Sequence, residues 1–206
     1  MRLLNFDQLQ ATPIEHEPFD YLVARNVLST DALAALRSDF PAINRPGLFP
    51  LSSVEGGAAF DALIEEVQGE EFQSILEDKF GIDLSKRPQM ITVRGHCRAR
   101  DGKIHTDTFD KILTVLIYLN GEWPFAGGNL RLLHGPNDIE DMIAEVPPEG
   151  GTMIAFKPSP QSWHGHKPYE GERRYVMINW MADAEILARE VARHRLSATV
   201  KRVFGS

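Results

Sequence analysis

The sequence predicts a mixed α+β fold in which helices gathered in the first part of the chain buttress a β-sandwich or barrel formed by the rest. Three observations lead there. Apolar residues recur at helical spacing mainly before residue 87. From residue 88, short segments rich in β-branched and aromatic residues are divided by Gly, Pro, Asn or Asp turns. Within them, 111–119 is apolar on both faces, which suits a strand covered on both sides. With 206 residues, 43% hydrophobic and 25% charged, the chain is expected to form one domain. Residues 1–87 would be the helical buttress and lead-in strands, 88–181 the β core, and 182–206 a C-terminal helix and tail.

Taken in order, residues 1–27 show no sustained period, but FDYLVARNVL reads as containing a short strand. A helix follows, with Ser29 or Thr30 as N-cap, Asp31 in its first turn, Leu33, Leu36 and Phe40 as its stripe, and Pro41 as its end. The Pro-, Gly- and Ser-rich segment 44–57 reads as a loop. Two helices come next, with stripes Phe60, Leu63, Ile64, Val67 and Phe72, Ile75, Leu76, Phe80. Gly81 is placed to end the second in the left-handed conformation. Strands are expected in MITVRGHC, ILTVLIYLN, GNLRLLHG, GTMIAF and RYVMINWM, and a last helix in ADAEILAREVARHRL.

Composition excludes some classes of function. The net charge of -7 argues against general binding to nucleic acid or to a membrane surface, since polyanions would be repelled. A local basic patch is confined to the last helix and tail, 187–204. Cys97 is the one cysteine, so no intrachain disulfide forms and a reducing, cytoplasmic setting is expected. No apolar run approaches the roughly 18 residues of a membrane span, and the first residues are too polar for a secretory signal.

The chemistry-bearing residues fall in two clusters. In KIHTDTFDK, His105 and Asp107 are two apart, so a strand would send both to one face. In SWHGHKPYEGERRYVMINW, His164 and His166 share the same spacing. Two histidines and a carboxylate on one side of a first-row metal ion leave its other positions open to ligands. Spacing alone does not decide which later histidine is the third ligand. In RYVMINWM, alternation puts Arg174, Val176, Ile178 and Trp180 on one face. As the more apolar set they are read as inward, which would bring Arg174 into the metal's cavity. A buried guanidinium needs a carboxylate. A small dicarboxylate that chelates the metal with one end and pairs with Arg174 at the other meets that need, with Tyr118 and Thr114 adding hydrogen bonds.

These residues resemble the iron(II)- and 2-oxoglutarate-dependent dioxygenases, in their prolyl-4-hydroxylase-like branch. The resemblance rests on His105-Thr-Asp107, Tyr118-Leu-Asn120, Trp123 with Gly127-Gly-Asn-Leu-Arg131, Gly151 through Phe156, and Trp163-His164 through Arg174 to Trp180, covering about 88–181. It implies a double-stranded β-helix, or jelly-roll, core. In that family a proline stands four residues after the ligand histidine and the carboxylate-binding cation six before the closing tryptophan. Pro168 and Trp180 therefore select His164 and Arg174, with His166 and Arg173 as alternates. The implied cofactors are Fe(II), 2-oxoglutarate as co-substrate, O2 and, as an auxiliary, ascorbate. The implied reaction hydroxylates a C–H bond and releases succinate and CO2. The substrate would be a small molecule, a peptide or a protein. Arg94, Trp123, Leu130, Leu132, His166 and Trp180 are candidates for pocket wall or substrate contact. The competing reading is a non-catalytic cupin-like module that binds metal or a small acid. A zinc hydrolase fits less well, because it lacks a clear general base and leaves Arg174 unexplained.

Overall fold

The computed structural model describes residues 2–192. Its elements follow the order α1 (Phe6–Ala11), β1 (Tyr21–Ala24), α2 (Thr30–Ser38), β2 (Phe49–Pro50), α3 (Ala58–Gln68), α4 (Glu70–Phe80) and β3 (Gln89–Cys97). Then come β4 (Lys111–Tyr118), β5 (Leu130–Leu133), β6 (Met142–Val146), β7 (Met153–Phe156), β8 (His164–Gly165) and β9 (Gly171–Met181). Residues 184–192 are helical; the remainder of the expected last helix, the tail and most of the basic stretch lie outside the described residues.

The strands form two antiparallel sheets. The six-stranded sheet has the order β1-β7-β4-β9-β3-β2, and the three-stranded sheet β6-β5-β8. They face each other as a double-stranded β-helix. The large sheet is buried on both sides, which accounts for the doubly apolar β4. On its outer side Leu113, Val115 and Ile117 join Val176, Ile178 and Trp180 against Leu63, Phe72 and Leu76 of the helices. On its inner side Leu116, Tyr118, Tyr175 and Met177 meet Leu130, Leu132 and Val146 of the small sheet.

Local signals explain the helices. Ser29 Oγ accepts from the Ala32 N–H at 3.2 Å and caps α2. Gly81, with φ 60°, closes α4 in the left-handed region. Some short elements went unread. Helix α1 spans only six residues and is capped by Asn5, whose side chain accepts from the Gln8 N–H. Strand β6 is mostly half-buried, so it lacks a clear apolar alternation. Strand β2 and a 3-10 turn, Leu51–Ser53, lie inside the expected loop 44–57.

The expected inward face of β9 is corrected. Val176, Ile178 and Trp180 face the helices, where Trp180 stacks on Phe72 with ring centroids 6.2 Å apart. The most apolar face of a doubly covered strand is the one that meets the helices. The face toward a functional cavity has to carry polar groups.

Candidate active site

Backbone pairing brings the two histidine segments together. His105 is not within a regular strand, contrary to expectation. It makes an isolated antiparallel bridge with His164, extending the small sheet by one residue pair. The His105 N–H donates to the His164 carbonyl at 3.0 Å, and the His164 N–H donates back at 2.9 Å. Leu132 of β5 pairs with His164 on its other side. The chain then turns through Thr108, whose carbonyl accepts from the Lys111 N–H, into β4.

The ligand atoms of His105, Asp107 and His164 all lie within 4.8 Å of one another. Each imidazole is oriented by a backbone carbonyl: His105 Nδ1 lies 2.8 Å from the Lys103 oxygen, and His164 Nδ1 2.9 Å from the Ser162 oxygen. With Nδ1 as donor, each ring presents an unprotonated Nε2, the arrangement usual for a metal-ligating histidine. Burial pushes the pKa of His164 down to about 4 against the pull of Asp107, so the ring is neutral, as ligation requires. Burial also works against charge on Asp107. Lys111, His164 and the bonds from Lys111 and Thr114 outweigh it and hold the carboxyl below its usual range. Lys111 Nζ is 2.7 Å from Oδ1, and Thr114 Oγ1 donates to Oδ2 at 2.6 Å. A 2-His-1-carboxylate set suits Fe(II). These residues therefore fit that ion.

The triad opens into a cavity of ≈ 180 Å³ between the sheets, below the roughly 300–1,000 Å³ of sites for drug-sized molecules. Larger surface depressions run along 41–55 and between the N-terminal segment and residues 26–30, and neither contains the triad.

Across the cavity stands Arg173, not Arg174. Arg173 is 2% exposed. Its Nε donates to the Gly128 carbonyl at 2.9 Å and its Nη2 to the Tyr118 hydroxyl at 3.3 Å, while its guanidinium lies 5.2 Å from the Tyr118 and Tyr175 ring centres. Among the described residues no carboxylate pairs with it. Arg174 points the other way: it bonds Glu172 at 2.9 Å and the Arg37 carbonyl at 3.3 Å, and lies over Phe40. Alternation along β9 is the reason. Arg174 shares the helix side with Val176, and Arg173 shares the cavity side with Tyr175 and Met177.

Other candidates divide. Arg94, Leu130 and His166 line the cavity. Burial first, then Arg173, lowers the pKa of His166 to about 4. Thr114 also lines the cavity, but its hydroxyl donates to Asp107 and lies 3.0 Å from Asn179 Oδ1, placing it at the triad and not at the far end. Tyr118 is fully buried, reaching the site through Arg173, and burial pushes its pKa up to about 12. Trp123 lies outside the cavity, donating to the Gly127 carbonyl and packing on Tyr169. Leu132 belongs to the inter-sheet core and Trp180 to the helix side. Lys111, Tyr175 and Met177 line the cavity unanticipated. Tyr175 and Met177 lie on the face of β9 expected to point away from the site, whereas Lys111 carries one signal in the sequence, its position four residues after Asp107.

Residues 94–182, which hold the triad and Arg173, match the sequence model of the 2OG-Fe(II) oxygenase superfamily. The match spans the strands that carry the site and leaves out the helices before them. No curated protein matches the sequence closely enough to count as a relative. Among solved structures, the chain is similar to a prolyl-4-hydroxylase from Pseudomonas putida, with 16% identity and a TM-score of 0.55 over 87% of this chain and 97% of that one. It is similar to a prolyl 4-hydroxylase from Phytophthora capsici, with 20% identity and a TM-score of 0.54 over 90% of this chain and 63% of that one. A viral collagen prolyl hydroxylase from Paramecium bursaria Chlorella virus-1, in a 2OG complex, shows 16% identity and a TM-score of 0.53 over 80% and 96%. At these identities the likeness is one of fold.

Proposed function

We propose that the protein hydroxylates a C–H bond of a small molecule or a prolyl residue, with His105, Asp107 and His164 holding Fe(II) and Arg173 anchoring 2-oxoglutarate. One observation carries this reading: a buried guanidinium without a carboxylate partner faces the triad across a small cavity. Such a charge is costly in isolation, and a dicarboxylate reaching from the metal to Arg173 would neutralise it through a charge-assisted pair. Tyr118 fixes the guanidinium by accepting its hydrogen bond, and the Gly128 carbonyl sets its plane. Thr114 and Lys111 orient the Asp107 carboxylate. Leu116, Leu130, Phe156 and Met177 give the cavity apolar walls that limit water near the reacting carbon. When bound, iron and 2-oxoglutarate supply the oxidation: one atom of O2 enters the substrate as hydroxyl, and the other enters succinate as CO2 leaves.

The prolyl hydroxylases of similar fold motivate the prolyl alternative. The acidic balance and lone cysteine support a cytoplasmic enzyme that does not bind nucleic acid generally. Among the described residues no helix is long and apolar enough to cross a membrane.

The test is succinate formation from 2-oxoglutarate with Fe(II) and ascorbate, alongside calorimetric 2-oxoglutarate binding. Asp107→Ala should abolish both metal binding and succinate. Arg173→Gln should weaken 2-oxoglutarate binding by roughly 100-fold, in line with the loss of a charged hydrogen-bonded pair, and Arg174→Gln should leave it within about twofold of wild type. Full turnover by Asp107→Ala, or strong loss only in Arg174→Gln, would overturn the assignment. Metal and 2-oxoglutarate binding without O2 consumption across the substrates tried would instead favour the non-catalytic cupin-like module.

A further inference from the structure

We propose that the substrate carries a single negative charge, a carboxylate, and that Arg94 receives it. This deepens the oxygenase reading and rests on it.

Arg94 is the second guanidinium in the cavity, with only 13% of its side chain exposed. It is held at one corner. Nη1 donates to Asp101 at 2.7 Å and to Cys97 Sγ at 3.3 Å. Asp101 is fixed in turn by the Arg98 N–H at 3.1 Å. Nε is buried without a hydrogen-bond partner. A guanidinium anchored through Nη1 keeps its Nε edge for an incoming acceptor, and a planar carboxylate matches such an edge with two parallel bonds.

The backbone is adapted to present this side chain. The β3–β9 ladder shifts register between Arg94 and His96, and a bulge of this kind re-aims a side chain beside a site. Gly95 occupies the shift, where a Cβ would fall 2.4 Å from the Ile43 carbonyl oxygen. The guanidinium lies 5.8 Å from the Tyr175 ring, whose surroundings also hold Arg173. One tyrosine thus separates two cationic positions, one for each organic ligand of the reaction.

Charge balance points the same way. Arg94, Lys111 and Arg173 bring three positive charges, against Asp107 and the Arg94 partner Asp101. A divalent metal and a dicarboxylate co-substrate cancel each other. One positive charge is left over, and a monoanionic substrate neutralises it. An internal prolyl residue of a protein, which is uncharged, does not.

The experiment uses the whole 206-residue chain loaded with Ni(II), to prevent turnover, and with 2-oxoglutarate. The probes are N-acetyl derivatives of the standard amino acids, each as the free acid and as the primary amide, with binding measured by calorimetry. At least one acid should bind about tenfold or more tighter than its amide, the scale of one charge-assisted bond, and Arg94→Gln should remove that preference while 2-oxoglutarate still binds. The inference is overturned if acids and amides bind alike, if neither binds, or if the preference survives the substitution. It is also overturned if Arg94→Gln loses 2-oxoglutarate itself, because Arg94 would then belong to the co-substrate. Arg94→Lys keeps the charge and stem but not the fork, and covers the case in which the glutamine variant does not fold; an undiminished acid preference there has the same force. A wild-type protein that fails to bind 2-oxoglutarate fails the oxygenase reading, whereas one that binds it without preferring acids fails this inference alone.

Discussion

Thr114 shows how a single atom can matter at a metal site without ligating. Its hydroxyl donates to Asp107 Oδ2 at 2.6 Å and lies 3.0 Å from Asn179 Oδ1. Partners of this kind set the orientation and basicity of a ligand, and removing one costs roughly 10- to 100-fold in metal affinity. Thr114→Val keeps the shape, and is expected to weaken Ni(II) or Mn(II) binding by that factor with little change in unfolding midpoint. Metal titration alongside thermal denaturation would check it. At this scale the sequence was legible in part. His105 and Asp107 stood out because a second histidine cluster follows them, and only the resemblance, through Pro168, chose His164 over His166. The choice between Arg173 and Arg174 was not legible, because adjacent residues on a strand face opposite sides and both sides of β9 are buried. Only the tertiary cover, helices on one side and the small sheet on the other, decides which arginine enters the cavity.

Strand β9 ties the site to the rest of the protein at the level of elements. It pairs with β3 on one edge and β4 on the other, so Arg173, Tyr175 and Met177 are held between neighbours and not on a sheet edge. Its outer side rests on α4, where Phe72 stacks on Trp180 and also meets Phe6. Phe72→Ala is expected to cost about 3–5 kcal/mol of stability while the folded fraction retains normal metal affinity, because Phe72 belongs to the helix-side cluster, which holds none of the residues lining the cavity. Chemical denaturation together with metal titration would test this. Helices α2 to α4 could be read from the sequence because each carries an apolar stripe. Strand β8 could not, since two residues hold no period. It exists because His164 and Gly165 are caught between β5 and the His105 segment, and Gly165 has its Cβ position 2.8 Å from the Gly102 carbonyl oxygen.

Viewed as a whole, the molecule places its catalytic candidates where the two sheets meet, and the helices only stiffen the large sheet from behind. Metal binding should then stabilise the entire fold. An ion at 100 times its dissociation constant adds about 2.7 kcal/mol, a rise of several degrees in the unfolding midpoint for a chain of this size. That rise is expected with Ni(II) or Mn(II), should vanish with a chelator, and should be absent in Asp107→Ala. The layered architecture was legible in the doubly apolar β4, but the pairing of His105 with His164 was not, because nothing in either segment encodes a partner so distant along the chain. That pairing has a topological consequence. Two reciprocal backbone bonds join the residues at the ends of a long intervening segment, and a bound ion would join their imidazoles as well. The segment from β4 through β7 is thereby fastened into a ring whose buckle is the metal site, so a cut in its exposed stretch near Phe125 would open the chain without releasing the two histidines from each other.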